Sequence, residues 1–201
     1  MPNGSTRRGC TMKSYNEKKR ICLGAGVVNY PMPVALIGTE KDGTANFMTA
    51  AWISMVSHTP PRLAITLGHH LTSINIKATG VFSVCFPSSG DMNDADYCGI
   101  VSGSKADKSN VFELFTGETG APMIERFGLN IECRLDHIDA NGMNETFVGD
   151  IVNIYADEAI LSGGKVELSK LDPLLLSQLD RKYYTVGAVA GEAWGAGKER
   201  L

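Results

Sequence analysis

The sequence predicts a mainly β chain with some α-helix, folded as a closed antiparallel barrel. Three observations carry this. Six or seven strand-like segments are mostly joined by hairpin signals, and two or three helical segments are inserted between them. No dinucleotide-binding pattern sits between a strand and a helix: the nearest approach, Gly24-Ala25-Gly26-Val27-Val28-Asn29, lacks the third glycine and a following helix. A G-x-x-x-x-G-K-S/T run is absent too, which excludes a nucleotide-hydrolysing phosphate loop.

Residues 1–20 read as a tail and lead-in. MPNGSTRRGCT is polar and unpatterned, Lys13 to Lys19 is charged, and Met12 offers an alternative start. A single domain is expected over residues 21–201, because 201 residues at 43% hydrophobic content bury one sizeable core. Pro33 to Thr39 reads as a buried strand and Glu40 to Thr44 as its hairpin, with Asp42-Gly43 supplying positive φ. Asn46 to Ser54 is the returning strand, closed by Pro60-Pro61. Arg62 to Gly68 follows as a third strand, with Leu63, Ile65 and Leu67 on one side. A short helix is expected over 72–79, with Thr72 or Ser73 as N-cap and Gly80 at its end.

Val81 to Phe86 alternates as a strand, and Asp91 caps a second helix running to Val101. The polar loop Ser102 to Ser109 lies where loops carry function. Leu129 to Ile138 and Glu145 to Tyr155 form two long strands around Asn141-Gly142, a strong hairpin signal. A Gly163-Gly164 turn, the segments 171–176 and 183–187, and a glycine-rich end complete the chain without a second-domain signal.

A net charge of −3 and a pI near 5.8 argue against a nucleic-acid partner. Five scattered cysteines without a CxxC pair indicate neither a disulfide framework nor a thiolate zinc site, and fit a reducing cytoplasm. No stretch of 18 apolar residues is present, so no membrane role is expected.

The charge pattern points to an anionic ligand. No Asp or Glu occurs from Gly43 to Gly90, a run of 48 residues in a chain with 22 acids. Inner strands are apolar in any case, and an ordinary capped helix accounts for the helix start equally well. Yet the start at Thr72-Ser73 has no acid in its first turn, where free N–H groups and the helix dipole attract negative charge. Together the two features favour a phosphate-bearing cofactor.

Asn46-Phe47-Met48-Thr49-Ala50-Ala51-Trp52, Pro60-Pro61, Thr72 with Asn75-Ile76, and Gly80-Val81-Phe82-Ser83-Val84 resemble the flavin reductase-like, FMN-binding split-barrel family. The resemblance continues through Tyr97-Cys98-Gly99, Ser102-Gly103, Asp107-Lys108, Ala121-Pro122, Glu132-Cys133, Phe147 to Val152, and Tyr184 with Val186-Gly187. It covers nearly everything from about Gly26 to Gly197, and the order and spacing of the motifs are specific where each alone is weak.

The resemblance implies an antiparallel Greek-key split β-barrel with a few peripheral helices. It also implies a homodimer with one noncovalent FMN per subunit near the interface. The implied cofactor-binding set is Asn46, Phe47, Met48, Thr49, Ala50, Trp52, Leu67, Gly68, Thr72, Ser73, Lys108, Asn144 and Tyr184. Within it Asn46 and Trp52 lie beside the flavin ring, and backbone groups of Met48 to Ala50 face its polar edge. Thr72 and the helix start take the phosphate, with Lys108 reaching phosphate or ring. Asn144 stands where the family often has a histidine, and an asparagine hydrogen-bonds but carries no proton or charge.

The implied activity is electron transfer or flavin reduction, with NAD(P)H or a small redox protein such as a ferredoxin as donor and no catalytic side chain. Alternatives are a non-catalytic barrel holding haem or storing flavin, and an oxidase acting on a pyridoxine phosphate. Residue by residue, Trp52 is either a core aromatic or a flavin neighbour, and Lys105 and Lys108 are either solvated or site charges. The adjacent His69 and His70 point oppositely on an extended segment and make a poor metal pair, while His58 and His137 read as structural. Cys98 and Cys133 are buried thiols or a redox pair fed by the flavin.

Overall fold

The computed structural model describes residues 20–27 and 30–198; the predicted tail and the Met12 start therefore lie outside the described residues, apart from Arg20. Seven strands build the main sheet: β1 (Ala35–Lys41), β2 (Thr44–Ala50), β3 (Ile53–Ser57), β4 (Arg62–Leu67), β5 (Val81–Phe86), β6 (Leu129–Asn141) and β7 (Asn144–Ala156). Two helices are inserted, α1 (Leu71–Thr79) between β4 and β5 and α2 (Met92–Ile100) after β5.

The spatial order is β2-β1-β5-β6-β7-β4-β3, antiparallel throughout. β4 and β5 follow one another in the chain but have β6 and β7 between them in the sheet, which is a Greek-key path. The sheet's two outermost strands, β2 and β3, are joined by Ala51-Trp52 alone, so the sheet must curl until its edges approach. The result is the split barrel. Tight turns fix the register: Lys41 pairs with Thr44 across Asp42 (φ 54°) and Gly43 (φ 76°), the doubly positive turn that matches strand twist.

Both faces of the sheet are apolar and covered, which is why β1 and β5 read as nearly unbroken hydrophobic runs. One cluster receives side chains from all seven strands, among them Ile37, Ala50, Leu63, Ile65, Phe82, Cys133 and Phe147, and is the barrel interior. Ile76 of α1 closes one end of it. Alternate residues of the same strands, Leu36, Phe47 and Cys85, point outwards into a second cluster. There they meet Ala95 and Cys98 of α2 and Phe112, Met123 and Phe127 of the following segment.

Two local expectations are corrected. Asn46 to Ser54 is not one strand: pairing breaks after Ala50, where the chain passes from one sheet edge to the other. The first helix starts at Leu71 with His70 as N-cap, two or three residues earlier than Thr72 or Ser73 would give. Ser73 sits inside that first turn, accepting from the His70 N–H at 3.0 Å and donating to the His70 carbonyl at 2.8 Å. The other end is as expected, with Gly80 left-handed at φ 71° and its N–H 2.8 Å from the Ile76 carbonyl. Asp91 stands at the N-cap of α2 but spends its carboxylate on the Ser88 N–H and hydroxyl and on Arg126.

Candidate functional site

A cleft of about 470 Å³ opens at the split. Its walls come from the end of β2 with Ala51-Trp52, the end of β4, the first turn of α1, the last turn of α2 with the loop behind it, and Asn144 at the start of β7. Leu176 and Gln178 close it from the tail. The barrel's curl brings these sequence-distant pieces together, because β2 and β4 end, and α1 begins, on the same rim.

Ten residues of the sequence-based set line the cleft: Asn46, Met48, Thr49, Ala50, Trp52, Leu67, Gly68, Thr72, Lys108 and Asn144. Phe47, Ser73 and Tyr184 lie elsewhere. Strand alternation sends Phe47 to the outer cluster, edge-on to Phe112 with ring centroids 5.6 Å apart. Ser73 is fully buried and occupied with the His70 backbone. Tyr184 is exposed and donates its hydroxyl to Asp180. His70, Cys98, Gly99 and Gly103 line the cleft without having been singled out as ligand contacts, although Cys98-Gly99 and Ser102-Gly103 stand among the family-like motifs.

Among the described residues no Asp or Glu lines the cleft, and the first turn of α1 holds no acid. A cation does line it. Lys108 is 3% exposed, and its ammonium donates to the carbonyls of Cys98 at 3.1 Å and Val101 at 3.0 Å. These are carbonyls at the C-terminal end of α2, where the helix dipole favours positive charge. Burial pushes the Lys108 pKa down, and the Cys98 thiol pushes it back up. An ammonium has three donors, so one remains beyond the two carbonyls.

A hydrogen-bond chain runs beside it. Asn46, 5% exposed, donates through Nδ2 to Thr72 Oγ1 at 2.9 Å, while its Oδ1 has no partner among the described residues. The loop lies close over this amide. A Cβ on Gly103 would meet Asn46 Oδ1 at clashing range and stand 3.0 Å from Asn46 Cγ and 3.1 Å from Leu71 Cδ2, so any side chain at 103 would displace the Asn46 amide.

Cys98 and Cys133 are buried and lie apart. Cys98 packs in the outer cluster and Cys133 inside the barrel, on opposite faces of the sheet, so they form no pair. Burial pushes the Cys98 thiol up to about 11 and raises that of Cys133 further. Among the described residues, no group of three or more His, Cys, Asp or Glu could hold a metal ion. His69 and His70 are both exposed, with His70 at the edge of the cleft, and His137 lies at the surface beside Asp136 and Asp139. No helix among the described residues is long and apolar enough to cross a membrane.

Residues 27–187 match the family described as the flavin reductase like domain. The crystal structure of flavoredoxin from Methanosarcina acetivorans is similar at a TM-score of 0.89 and 43% identity, covering 92% of this chain and 100% of that one. Flavoredoxin of Desulfovibrio vulgaris (Miyazaki F) gives 0.83 and 33%, covering 90% and 100%. A split-barrel domain protein from Shewanella frigidimarina NCIMB 400 shares the fold at 0.69 and 21% identity, covering 82% of this chain and 86% of its own.

Proposed function

The chain belongs to the flavin reductase-like family, and from that premise we propose that it holds one noncovalent FMN in this cleft and serves as an electron-transferring flavoprotein. The observation that carries the reading is the charge of the cleft. A buried ammonium and an acid-free helix start share one cavity that no carboxylate enters among the described residues. A cavity of about 470 Å³ is also in the range that ordinary cofactor sites occupy. The residues present fit the group.

In this reading the Thr72 hydroxyl and the first N–H groups of α1 seat the phosphate, since those N–H groups have no carbonyl within the helix. Lys108 adds the charge that makes the seat selective for an anion. Trp52 offers its ring face, and Met48 to Ala50 offer backbone groups to the cofactor's polar edge. Asn144 hydrogen-bonds without moving a proton. FMN, when bound, supplies hydride or electron chemistry; the chain supplies position, positive charge and exclusion of water. The electron donor in this proposal is NAD(P)H or a small ferredoxin-like redox protein.

A second copy of the chain belongs to the same proposal. On the other side of Trp52 lies an apolar groove of about 480 Å³, lined by Val27, Tyr30, Met32 and Ile53 among others. The neighbouring edge strand β3 leaves Met55 and Val56 more than half exposed. Such a patch beside the cleft supports a homodimer with the cofactor near the interface. The test is direct: the purified protein is yellow, with absorbance at about 450 nm that reductant bleaches, and it sediments as a dimer. Colourless protein that ignores added FMN overturns the reading, and a monomer at micromolar concentration overturns the dimer.

A further inference from the structure

We infer that Asn46 is a positioning residue for the phosphate seat, acting through the Thr72 hydroxyl and not on the flavin ring. The inference rests on the FMN reading and adds to it a residue that sets the direction of one donor. The pattern of bonds is unusual. Asn46 is buried and gives its Nδ2–H to Thr72 Oγ1 at 2.9 Å, although this leaves its own Oδ1 without a partner. Turning the amide over would leave the NH2 unpaired against Gly103, and a buried orphan donor is rarer than an under-satisfied carbonyl.

With the amide so placed, the Thr72 oxygen is an acceptor towards Asn46. Its proton then has no acceptor among the described residues and is free for a ligand in the cleft that Thr72 lines. A lone threonine hydroxyl would divide its time between donating and accepting; the asparagine fixes it as a donor. That orientation suits an anion better than a neutral acceptor, because a hydrogen bond to a charged group is the stronger one. Gly103 maintains the arrangement from above. Its missing side chain lets the loop rest on the amide, and a methyl group there would push Asn46 away from Thr72.

The experiment compares FMN with riboflavin, which differ by the phosphate, in equilibrium titrations of the full chain, of three single variants and of one double variant, all with folding checked by thermal melts. The wild type binds FMN more tightly than riboflavin. Asn46→Leu and Gly103→Ala each weaken FMN by about fivefold or more and leave riboflavin within about twofold. Thr72→Val does the same, and Asn46→Leu added to Thr72→Val causes no further loss, because Asn46 has no route except the hydroxyl.

Equal loss of both flavins in Asn46→Leu places Asn46 on the ring or in the fold and overturns the inference while leaving the FMN reading intact. Unchanged FMN affinity in Asn46→Leu and Gly103→Ala overturns it too. Should one of these variants fail to fold, the other decides. A wild type that binds neither flavin removes the reading itself, and one that binds both equally removes the phosphate seat.

Discussion

Lys108 folds back onto Cys98: its ammonium lies 3.1 Å from the Cys98 carbonyl oxygen, beneath a loop that leaves the side chain 3% exposed. No carboxylate appears among the described partners of that ammonium. A buried cation neutralised only by carbonyl dipoles is an incomplete arrangement, which an anion in the cleft would complete. Lys108→Met is expected to weaken FMN by tenfold or more, in the range of about 1.5–3 kcal/mol for a hydrogen bond to a charged group. The wild-type affinity should also fall as pH rises, below the ordinary lysine pKa of 10.5, because burial lowers that of Lys108. Titrations across alkaline pH check both, and a Lys108→Met profile that still falls with pH in the same way refutes the assignment.

The two tryptophans give an optical test. Trp52 lines the cleft, whereas Trp194 is 96% exposed. FMN binding should quench tryptophan fluorescence in Trp194→Phe as in the wild type and lose most of that quenching in Trp52→Phe. Quenching that survives in Trp52→Phe places the flavin elsewhere.

Glu132 anchors the segment outside the barrel. It is fully buried and accepts from the N–H groups of Glu118 and Thr119, the Thr119 hydroxyl, Asn153 Nδ2 and Tyr155 OH. Burial pushes its pKa up, but the bonds from Thr119, Asn153 and Tyr155 outweigh burial and hold it at about 2, against an ordinary 4.5. A depressed folded-state pKa stabilises the fold above the unfolded value. The stabilisation, on the order of 3 kcal/mol, is therefore complete above pH 4.5 and is lost as pH falls towards about 2. Glu132→Gln should lower the melting temperature at pH 7 and flatten the acid limb of the stability curve. An unchanged acid limb contradicts this account.

Gly38 is a packing requirement in mid-strand. A Cβ there would collide with the Pro122 carbonyl and the Ser83 hydroxyl and stand 2.7 Å from Phe47 Cε1. Backbone cannot move aside as a side-chain tip can, so Gly38→Ala should cost about 3 kcal/mol or more. Melting in denaturant measures it, and a cost below about 1 kcal/mol would show that the strand shifts freely.

The strands were legible wherever the pattern was local. Asp42-Gly43 and Asn141-Gly142 announced their hairpins, and Leu63, Ile65 and Leu67 announced the inner face of β4. What sequence pattern misplaced was decided at a distance. Asn46 to Ser54 is continuous as a hydrophobic pattern, and its break at Ala51-Trp52 exists because the sheet's edges meet there. Phe47 sits between two cleft residues in the chain, yet alternation turns it to the opposite face. Ser73 offered a hydroxyl as good as that of Thr72, and only the local bonding of the first turn shows which one is already used. The loop glycine Gly103 matters through what rests beneath it, which no periodicity records.

The union of β2 and β3 through Ala51-Trp52 has a consequence for how such a barrel can diversify. The five inner strands are each locked to two neighbours, so altering one alters rungs on both sides. At this junction the chain is bound by little more than the Trp52 carbonyl, which accepts from the Thr66 N–H at 3.0 Å. The mouth of the barrel can therefore be reshaped by changing a few residues there, with the load-carrying ladder left untouched. One scaffold thereby admits differently shaped cleft mouths without being refolded.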